Sequence, residues 1–268
     1  MKRWVPLFAF VAVAACNGEA DPDPVPTPTV TPTPTASASA TASSSGARAV
    51  AEETDDFLFE YSYPAEAGRI VELASLLDIQ LQQRREELAS ESAEARREAR
   101  DNGFPYNKHS YTAKWKVVAE LPDWISLSAD IATYSGGAHG NYTVESMVWD
   151  KANERSMDAI ALFTSPAELE EAFGNRFCEA LDRQRAERRE EPVAEDSDNP
   201  FDQCPGIEQL EILVGSSNQR TFNRLTVYAG PYVAGPYAEG AYEVDLNLDQ
   251  AILAAVKPEY REAFSARN

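Results

Sequence analysis

The sequence predicts an α+β fold: antiparallel sheets, one long N-terminal helix, a second amphipathic helix and two small subdomains. Segments rich in β-branched and aromatic residues recur along residues 51–268. Two helical segments interrupt them without the regular strand–helix alternation that is typical of parallel α/β proteins. The region is also long enough to bury a substantial core.

The first half of this region is predicted to contain four strands and the long helix. Aromatic residues alternate over 56–63, which predicts the first strand. Pro64 then opens a helix to about Arg100, whose second half is rich in Glu, Arg and Ala and is expected to be exposed. Residues 110–121 and 123–135 read as a hairpin, and 142–150 as a further strand. The apolar residues of the helix recur every three or four positions: Ile70, Leu73, Leu77 and Leu81.

The second half begins with a helix that has a clear start signal. Ser165, Pro166 and Glu168 form a capping box with proline at the first helical position. A polar loop over 195–206 precedes predicted strands at 209–214, 222–228 and 241–248, and a short helical region starts at Asp249. The buried stripe of the helix is predicted to be Leu169, Phe173, Phe177 and Leu181.

The first sixteen residues have the pattern of a bacterial lipoprotein signal. Lys2 and Arg3 precede an apolar stretch over 4–14 that is too short to span a bilayer. Small residues then lead directly to Cys16, as in the lipobox of bacterial lipoproteins. We therefore predict a lipoprotein signal peptide at 1–15 and lipidation of Cys16; the alternative is an ordinary signal peptide. Asn17 favours the outer membrane over the inner one by resemblance to lipoprotein sorting patterns.

The following segment, 16–50, is built from Asp, Pro, Thr, Ala, Ser and Gly and is predicted to be a disordered linker. It would hold the globular region away from the membrane, on the periplasmic side of the bacterial cell envelope. That region is predicted to divide into subdomains at 51–150 and 151–268. No later segment is apolar and long enough to cross a membrane, so signalling through a transmembrane helix is not expected.

Composition excludes one class of partner. The chain has 44 acidic and 24 basic residues and a formal net charge of −20. Nucleic-acid binding depends on neutralisation of phosphates by Lys and Arg, so no nucleic-acid partner is expected. Such a surface attracts cationic partners. The alternative is that the charge only keeps the protein soluble.

Two cysteines remain after Cys16. Cys178 and Cys204 form an even pair, which in an oxidising compartment predicts a disulfide between a helix and the loop that follows it. A metal site is the alternative. Neither cysteine has a second ligand at close spacing and the chain has only two histidines, so we predict neither a metal nor a cofactor.

His139 is the leading candidate for chemistry. It lies in a Gly-Gly-Ala-His-Gly segment in which Gly136 and Gly137 would let a partner approach closely. An imidazole is suited to acid–base work or ligand binding. Catalysis would also need a second group, and the carboxylates nearby in sequence are Asp130, Glu145 and Asp150. The alternative is that the glycines form a turn and His139 bonds to the loop backbone.

Four tyrosines cluster in sequence among glycines and prolines: Tyr228, Tyr232, Tyr237 and Tyr242. Tyrosine offers a large contact area and a polar tip, so the cluster is a candidate recognition or sugar-stacking surface, with Tyr232 and Tyr237 the candidate binding residues. The alternative is the packed end of a sheet.

Two segments carry a family resemblance. Residues 134–141 include the Gly-Gly-Ala-His element, and residues 232–240 contain Tyr, Pro-Tyr-Ala and Gly in a second motif. Together they resemble the paired extracytoplasmic domains of RsiV-type anti-sigma factors and PdaC-type peptidoglycan deacetylases, over roughly 55–255. The resemblance implies a non-catalytic α+β envelope module, PdaC-like in its first half and RsiV-like in its second, and in the anti-sigma branch a receptor for lysozyme. The segment 150–154 lacks the glycine expected in the family's turn.

Two functions therefore compete. The first is a lipid-anchored binding module that engages a wall component such as peptidoglycan or a cationic protein such as lysozyme. The second is a cell-wall hydrolase centred on His139 and a nearby carboxylate.

Overall fold

A computed structural model describes residues 37–42, 46–194 and 196–267. The predicted signal peptide and the predicted lipidation site, Cys16, lie outside these residues. The described residues belong to one compact unit with two sheets and helices. The predicted α+β class is therefore confirmed.

The larger sheet has seven strands whose spatial order equals their order in the sequence. All neighbouring pairs are antiparallel except β3 and β4, which are parallel. A parallel pair needs a crossover connection, and the long helix α2 supplies it. The strands are β1 (Ser37–Ala42), β2 (Arg48–Glu53), β3 (Phe57–Tyr63), β4 (His109–Glu120), β5 (Trp124–Tyr134), β6 (Asn141–Asp150) and β7 (Arg155–Met157). The helices between β3 and β4 are α1 (Ala65–Gly68) and α2 (Val71–Asn102).

The first core lies between α2 and one face of the larger sheet. Because side chains alternate along a strand, every second residue of β3 from Phe57 to Tyr63 is buried. The predicted helical stripe supplies the other side, with Leu73, Leu77 and Leu81 fully buried. Helix α2 ends at Gly103, which adopts the left-handed conformation that glycine tolerates at a helix C-terminus.

The second core lies between α3 (Pro166–Arg189) and the smaller sheet, in which β9 (Arg224–Ala229) pairs with both β8 (Leu210–Gly215) and β10 (Tyr242–Asn247). The N-cap of the predicted capping box is formed, since the Ser165 hydroxyl accepts a hydrogen bond from the Glu168 amide at 3.1 Å. Strand β8 also contacts β4, β5 and β6 of the larger sheet. A short helix, α4 (Gln250–Ala255), packs beside α3 and adds Ile252 and Ala255 to this core. The whole predicted stripe of α3 is buried: Leu169, Phe173, Phe177 and Leu181.

The two cores meet at β6. Met147 and Trp149 belong to the first core, whereas Val148 between them belongs to the second. Alternate residues of β6 therefore pack into the two cores on opposite faces of the sheet. The boundary between residues 150 and 151 stays a prediction.

The free edge of β10 is covered by long polar side chains of α3. The Gln184 amide donates to the Glu243 carbonyl at 2.7 Å, and Arg188 donates to the Ala241 carbonyl at 2.8 Å. An open row of backbone acceptors would invite pairing with another chain. These bonds block part of that edge and tie α3 to the sheet.

The predicted linker is wrong over its last part. Strand β1 and the first residues of β2 lie within the segment 16–50 that was predicted to be disordered. Strand β1 is a run of Ser, Ala and Thr. It carries no apolar alternation, and its order rests on backbone pairing with β2. The short strand β7, also not predicted, pairs only with the last residues of β6.

The predicted disulfide joins Cys178 in α3 to Cys204. It attaches the helix to the polar loop that precedes β8. Among the described residues, no helix is apolar over a stretch long enough to cross a membrane.

Candidate ligand-binding site

The two motifs singled out in the sequence meet in space. The loop between β5 and β6 carries His139, and the loop between β9 and β10 carries Tyr232 and Tyr237. The His139 ring stacks on Tyr237 with ring centroids 4.0 Å apart and planes inclined by 24°. Tyr232 lies beside Tyr237 at 5.6 Å, and Tyr142 meets it edge-on at 6.0 Å. We call these four residues the aromatic platform.

Hydrogen bonds hold the His139 ring in place. Nδ1 lies 2.7 Å from the Gly140 carbonyl oxygen, which can only accept, so Nδ1 donates. In the neutral imidazole this leaves Nε2 as an acceptor, and the Tyr232 hydroxyl lies 3.3 Å from it. Both ring nitrogens therefore have partners.

No carboxylate among the described residues makes a hydrogen bond or an ion pair with His139. Asp130 forms an ion pair with Lys116 on β4. Asp150 accepts bonds from the turn that follows it, including 2.7 Å from the Asn153 amide. Glu145 lines cavities away from the platform. The geometry does not assemble the acid–base pair that the hydrolase hypothesis requires.

The platform loops depend on unusual backbone conformations. Gly136 and Gly137 both have φ of +93°, a conformation that residues with a side chain rarely adopt. The two glycines form the turn and are not part of the aromatic stack. The Tyr134 hydroxyl donates to the Gly137 carbonyl at 3.0 Å and holds that turn against β5. Tyr232 also has a positive φ, +69°, although it is a bulky residue. Such a conformation costs free energy and persists where the surroundings impose it, often at functional sites.

Two of the four clustered tyrosines lie elsewhere. Tyr228 and Tyr242 are buried in β9 and β10, with 4% and 0% of their surface exposed. Burial raises the pKa of Tyr228 to about 12. The recognition-surface hypothesis therefore fails for these two, and the alternative of a packed sheet end describes them. Tyr142, in contrast, belongs to the platform and was not predicted.

A network of buried charge supports the loop that carries Tyr232 and Tyr237. Arg185 is fully buried, and its guanidinium donates to the main-chain carbonyls of Ala234 at 2.9 Å and Gln203 at 2.9 Å. One turn later, Arg189 makes two bonds to the Glu239 carboxylate, at 2.9 and 3.1 Å. We call Arg185, Arg189, Asp202 and Glu239 the arginine network. It ties α3 to both the disulfide-linked loop and the platform loop.

The ion pairs of this network favour the charged forms. Burial opposes ionisation of Glu239, but hydrogen bonds from Arg189 and Tyr242 outweigh it and hold the pKa of Glu239 below its ordinary value. The pKa of Asp202 is also lowered, first by a hydrogen bond from Ser197 and then, despite partial burial, by Arg189. The carboxylates therefore remain ionised at neutral pH and keep the loop in place.

The sequence contains a sign of this network: two arginines continue the apolar stripe of α3. Periodicity alone does not say which groups those arginines bind. The stripe of α3 repeats every four residues from Leu169 to Leu181, and Arg185 and Arg189 continue the same spacing. A charged residue at a buried stripe position requires partners from other segments. Those partners follow α3 by 13 to 50 residues in sequence.

No group of three His, Cys, Asp or Glu side chains within the described ranges is placed to hold a metal ion. The groups that the platform offers to a ligand are ring faces, hydroxyls and one imidazole.

Comparison with known families supports the predicted resemblance in the first half of the chain. Residues 50–142 match the model of the family described as deacetylase PdaC. The match ends inside β6, at Tyr142, and includes His139 and its glycine loop. This segment is similar to that family, and the match covers less than half of the chain.

Two solved structures of the DUF3298 family are similar to the chain. One, from Pseudomonas aeruginosa, is 16% identical, with 88% of this chain and 99% of that chain covered at a TM-score of 0.47. Another, from Bacteroides fragilis, is 12% identical, with 80% and 89% covered at a TM-score of 0.43. No curated protein matches the chain.

Proposed function

We propose that this chain is a lipid-anchored binding module of the bacterial cell envelope, and that the aromatic platform is its recognition surface for wall glycan. The observation that carries the proposal is the stack of His139, Tyr232 and Tyr237, in which His139 and Tyr232 are exposed and Tyr237 is half-buried. Tyr232 is 52% exposed although it is a large aromatic residue held in a strained conformation.

The chemistry of the platform favours binding over turnover. Aromatic faces with polar tips supply contact area and directional hydrogen bonds, which is the combination found at recognition surfaces. The ring nitrogens of His139 already have partners, and no carboxylate among the described residues makes a hydrogen bond or an ion pair with it. The matched family is named for a deacetylase, and our proposal assigns this segment a binding role instead.

The rigidity of the platform supports the same conclusion. Arg185 donates to the Ala234 carbonyl and Arg189 to the Glu239 carboxylate, so the loop that carries Tyr232 and Tyr237 is held in place without a ligand. A preorganised surface loses less conformational entropy on binding.

Anchoring is the part of the proposal that rests on sequence. The lipobox pattern at Cys16 and the Pro/Thr-rich segment behind it would tether the domain to a membrane and let the platform reach the wall. Replacement of Cys16 by Ser is expected to release the protein from the membrane fraction of its host. Unchanged membrane association would contradict lipid anchoring.

The binding test uses the full chain, purified in mild detergent and sedimented with insoluble peptidoglycan. Tyr237→Ala and Tyr232→Ala remove ring faces and are expected to leave most of the protein in the supernatant. Phe104→Ala is the matched control, since Phe104 is 51% exposed and lies outside the platform. Equal sedimentation of the platform variants and wild type would refute the role of the platform.

A second candidate ligand is a cationic protein such as lysozyme, and the net charge of −20 favours it. Charge complementarity is screened by salt, whereas stacking is much less so. Lysozyme binding measured at low and high ionic strength therefore separates the two ligands. Tight, salt-sensitive lysozyme binding without sedimentation on peptidoglycan would show that the ligand is a cationic protein and not wall glycan.

A further inference from the structure

A polar groove lies on the opposite face of the larger sheet from the platform. It consists of two adjoining cavities of 230 and 200 Å³ that share Arg84, Glu87 and Tyr111. Glu145 and Tyr142 are three residues apart on β6, so their side chains point to opposite faces. We call this feature the α2 groove, because α2 forms one wall and strands β3 to β6 form the floor. Its other lining residues include Tyr61, Gln80, Gln83, Trp115 and Ile131.

The floor of the groove is fixed by bonds from the core. The buried Trp115 indole donates to the Tyr61 hydroxyl at 2.8 Å, and that hydroxyl donates to the Gln80 amide oxygen at 3.4 Å. These two linked hydrogen bonds hold the Gln80 amide in one orientation and leave its NH₂ group without a partner among the described residues. Tyr111 is held in turn by stacking on Phe59 at 5.9 Å. A first layer of polar groups supported by a second is the arrangement that binding sites require.

The groove also has free hydrogen-bonding capacity. Arg84 is paired with Glu87 at 3.1 Å. The half-buried Glu145 carboxylate has no hydrogen bond or ion pair within the described ranges. Burial and then the charge of Glu145 raise the pKa of Tyr111 to about 12, so its hydroxyl keeps its proton at neutral pH. Near Glu145 the wall therefore offers one carboxylate that has no partner among the described residues, amide donors and the Tyr111 hydroxyl.

We propose that the α2 groove is a second binding site and that it takes a neutral sugar ring of an oligosaccharide. Neighbouring sugar hydroxyls can donate to the two oxygens of Glu145 and accept from the Gln80 amide and the Tyr111 hydroxyl. The half-buried Tyr111 supplies an aromatic face for the apolar side of the ring. An anionic ligand is disfavoured because the carboxylate of Glu145 is unpaired. The inference concerns a separate surface and does not depend on the role of the platform.

Calorimetric titration of the full chain in mild detergent tests the proposal, with chitotriose and maltotriose as neutral probes and tetralysine as a cationic probe. One of the two saccharides is expected to bind wild type. Glu145→Gln is expected to weaken the groove event by about tenfold, because a charged acceptor is lost. Gln80→Ala is expected to weaken it as well. Glu86→Gln is the matched control, since Glu86 is an exposed residue of α2 that does not line the groove.

The platform variant Tyr237→Ala separates the two proposals. If both proposals hold, the Tyr237→Ala variant still binds saccharide in the groove, and the Glu145→Gln variant still binds saccharide at the platform. Saccharide binding that is lost in Tyr237→Ala and unchanged in Glu145→Gln would overturn the groove and leave the platform in place. Absence of binding by both saccharides, or binding of tetralysine alone, would also overturn the assignment of the groove to sugars.

Discussion

Replacement of Arg185 by methionine removes the central donor of the arginine network while preserving much of the side-chain volume. Arg185 is fully buried and donates to the carbonyls of Ala234, Gln203 and Asp202 at 2.9, 2.9 and 3.2 Å. Methionine can fill the space of the methylene stem but cannot donate a hydrogen bond. The variant therefore leaves three main-chain acceptors without their donor.

The expected cost follows from these bonds. Each buried polar group that loses its partner costs about 1–3 kcal/mol, and breaking a buried charged network costs about 3–5 kcal/mol in total. We expect Arg185→Met to lower the free energy of unfolding by about 4 kcal/mol, since water can reach part of the loop. For a chain of this size that corresponds to a thermal midpoint lower by about 12 °C.

Differential scanning calorimetry measures the midpoint, and hydrogen exchange over 230–241 measures the mobility of the platform loop. Arg183→Met is the matched control, because Arg183 is an exposed residue of the same helix. The expected result is a large loss for Arg185→Met, faster exchange in the platform loop, and little change for Arg183→Met. Equal midpoints in the two variants would refute the conclusion that Arg185 holds the loops together.

Three further outcomes concern the disulfide, a half-buried carboxylate and two glycines. Serine at both Cys178 and Cys204 is expected to lower the free energy of unfolding by about 3 kcal/mol, because the disulfide closes a loop of intermediate length; urea denaturation measures this, and equal midpoints would contradict it. Burial and two neighbouring carboxylates raise the pKa of Glu211, so its contribution to stability falls as the pH rises through that raised pKa. Glu211→Gln should therefore raise the thermal midpoint more at about pH 8 than at about pH 4; the opposite trend would reject this account. Gly174→Ala should stabilise the protein by about 1 kcal/mol, since no other atom lies within 4 Å of the added Cβ in this helix interior. Gly235→Ala should destabilise it, because a Cβ there would overlap a carboxylate of the arginine network, and thermal unfolding of both variants checks this contrast.

Much of the candidate site could be predicted from sequence because its parts have local signals. Glycines around His139 indicated a tight turn, and Gly136 and Gly137 do adopt positive φ. The tyrosines near the C-terminus were recognised by residue type, but residue type does not tell an exposed tyrosine from a buried one. Tyr232 lies in a loop and is exposed, whereas Tyr242 lies in a strand that faces α3 and is buried.

The α2 groove and the arginine network could not be predicted from sequence. Their members come from segments far apart, such as Tyr61 with Trp115 and Arg189 with Glu239. Only strand pairing brings β3 beside β4 and places Glu145 on the same face as Tyr111. No local periodicity reports which distant backbone will accept a bond from a buried guanidinium.

The sequence by itself determined the α+β class, the start of α3 at Ser165, the buried stripes of both long helices and the Cys178–Cys204 pairing. Each of these follows from residue spacing or from residue chemistry over a short range. The tertiary structure alone decided that β3 and β4 are parallel, that β1 and β2 extend the sheet into the Ser/Ala-rich segment, and that His139 stacks on Tyr237. These features depend on contacts between residues distant in sequence, whose free energy is gained only when the whole sheet and its helices pack together.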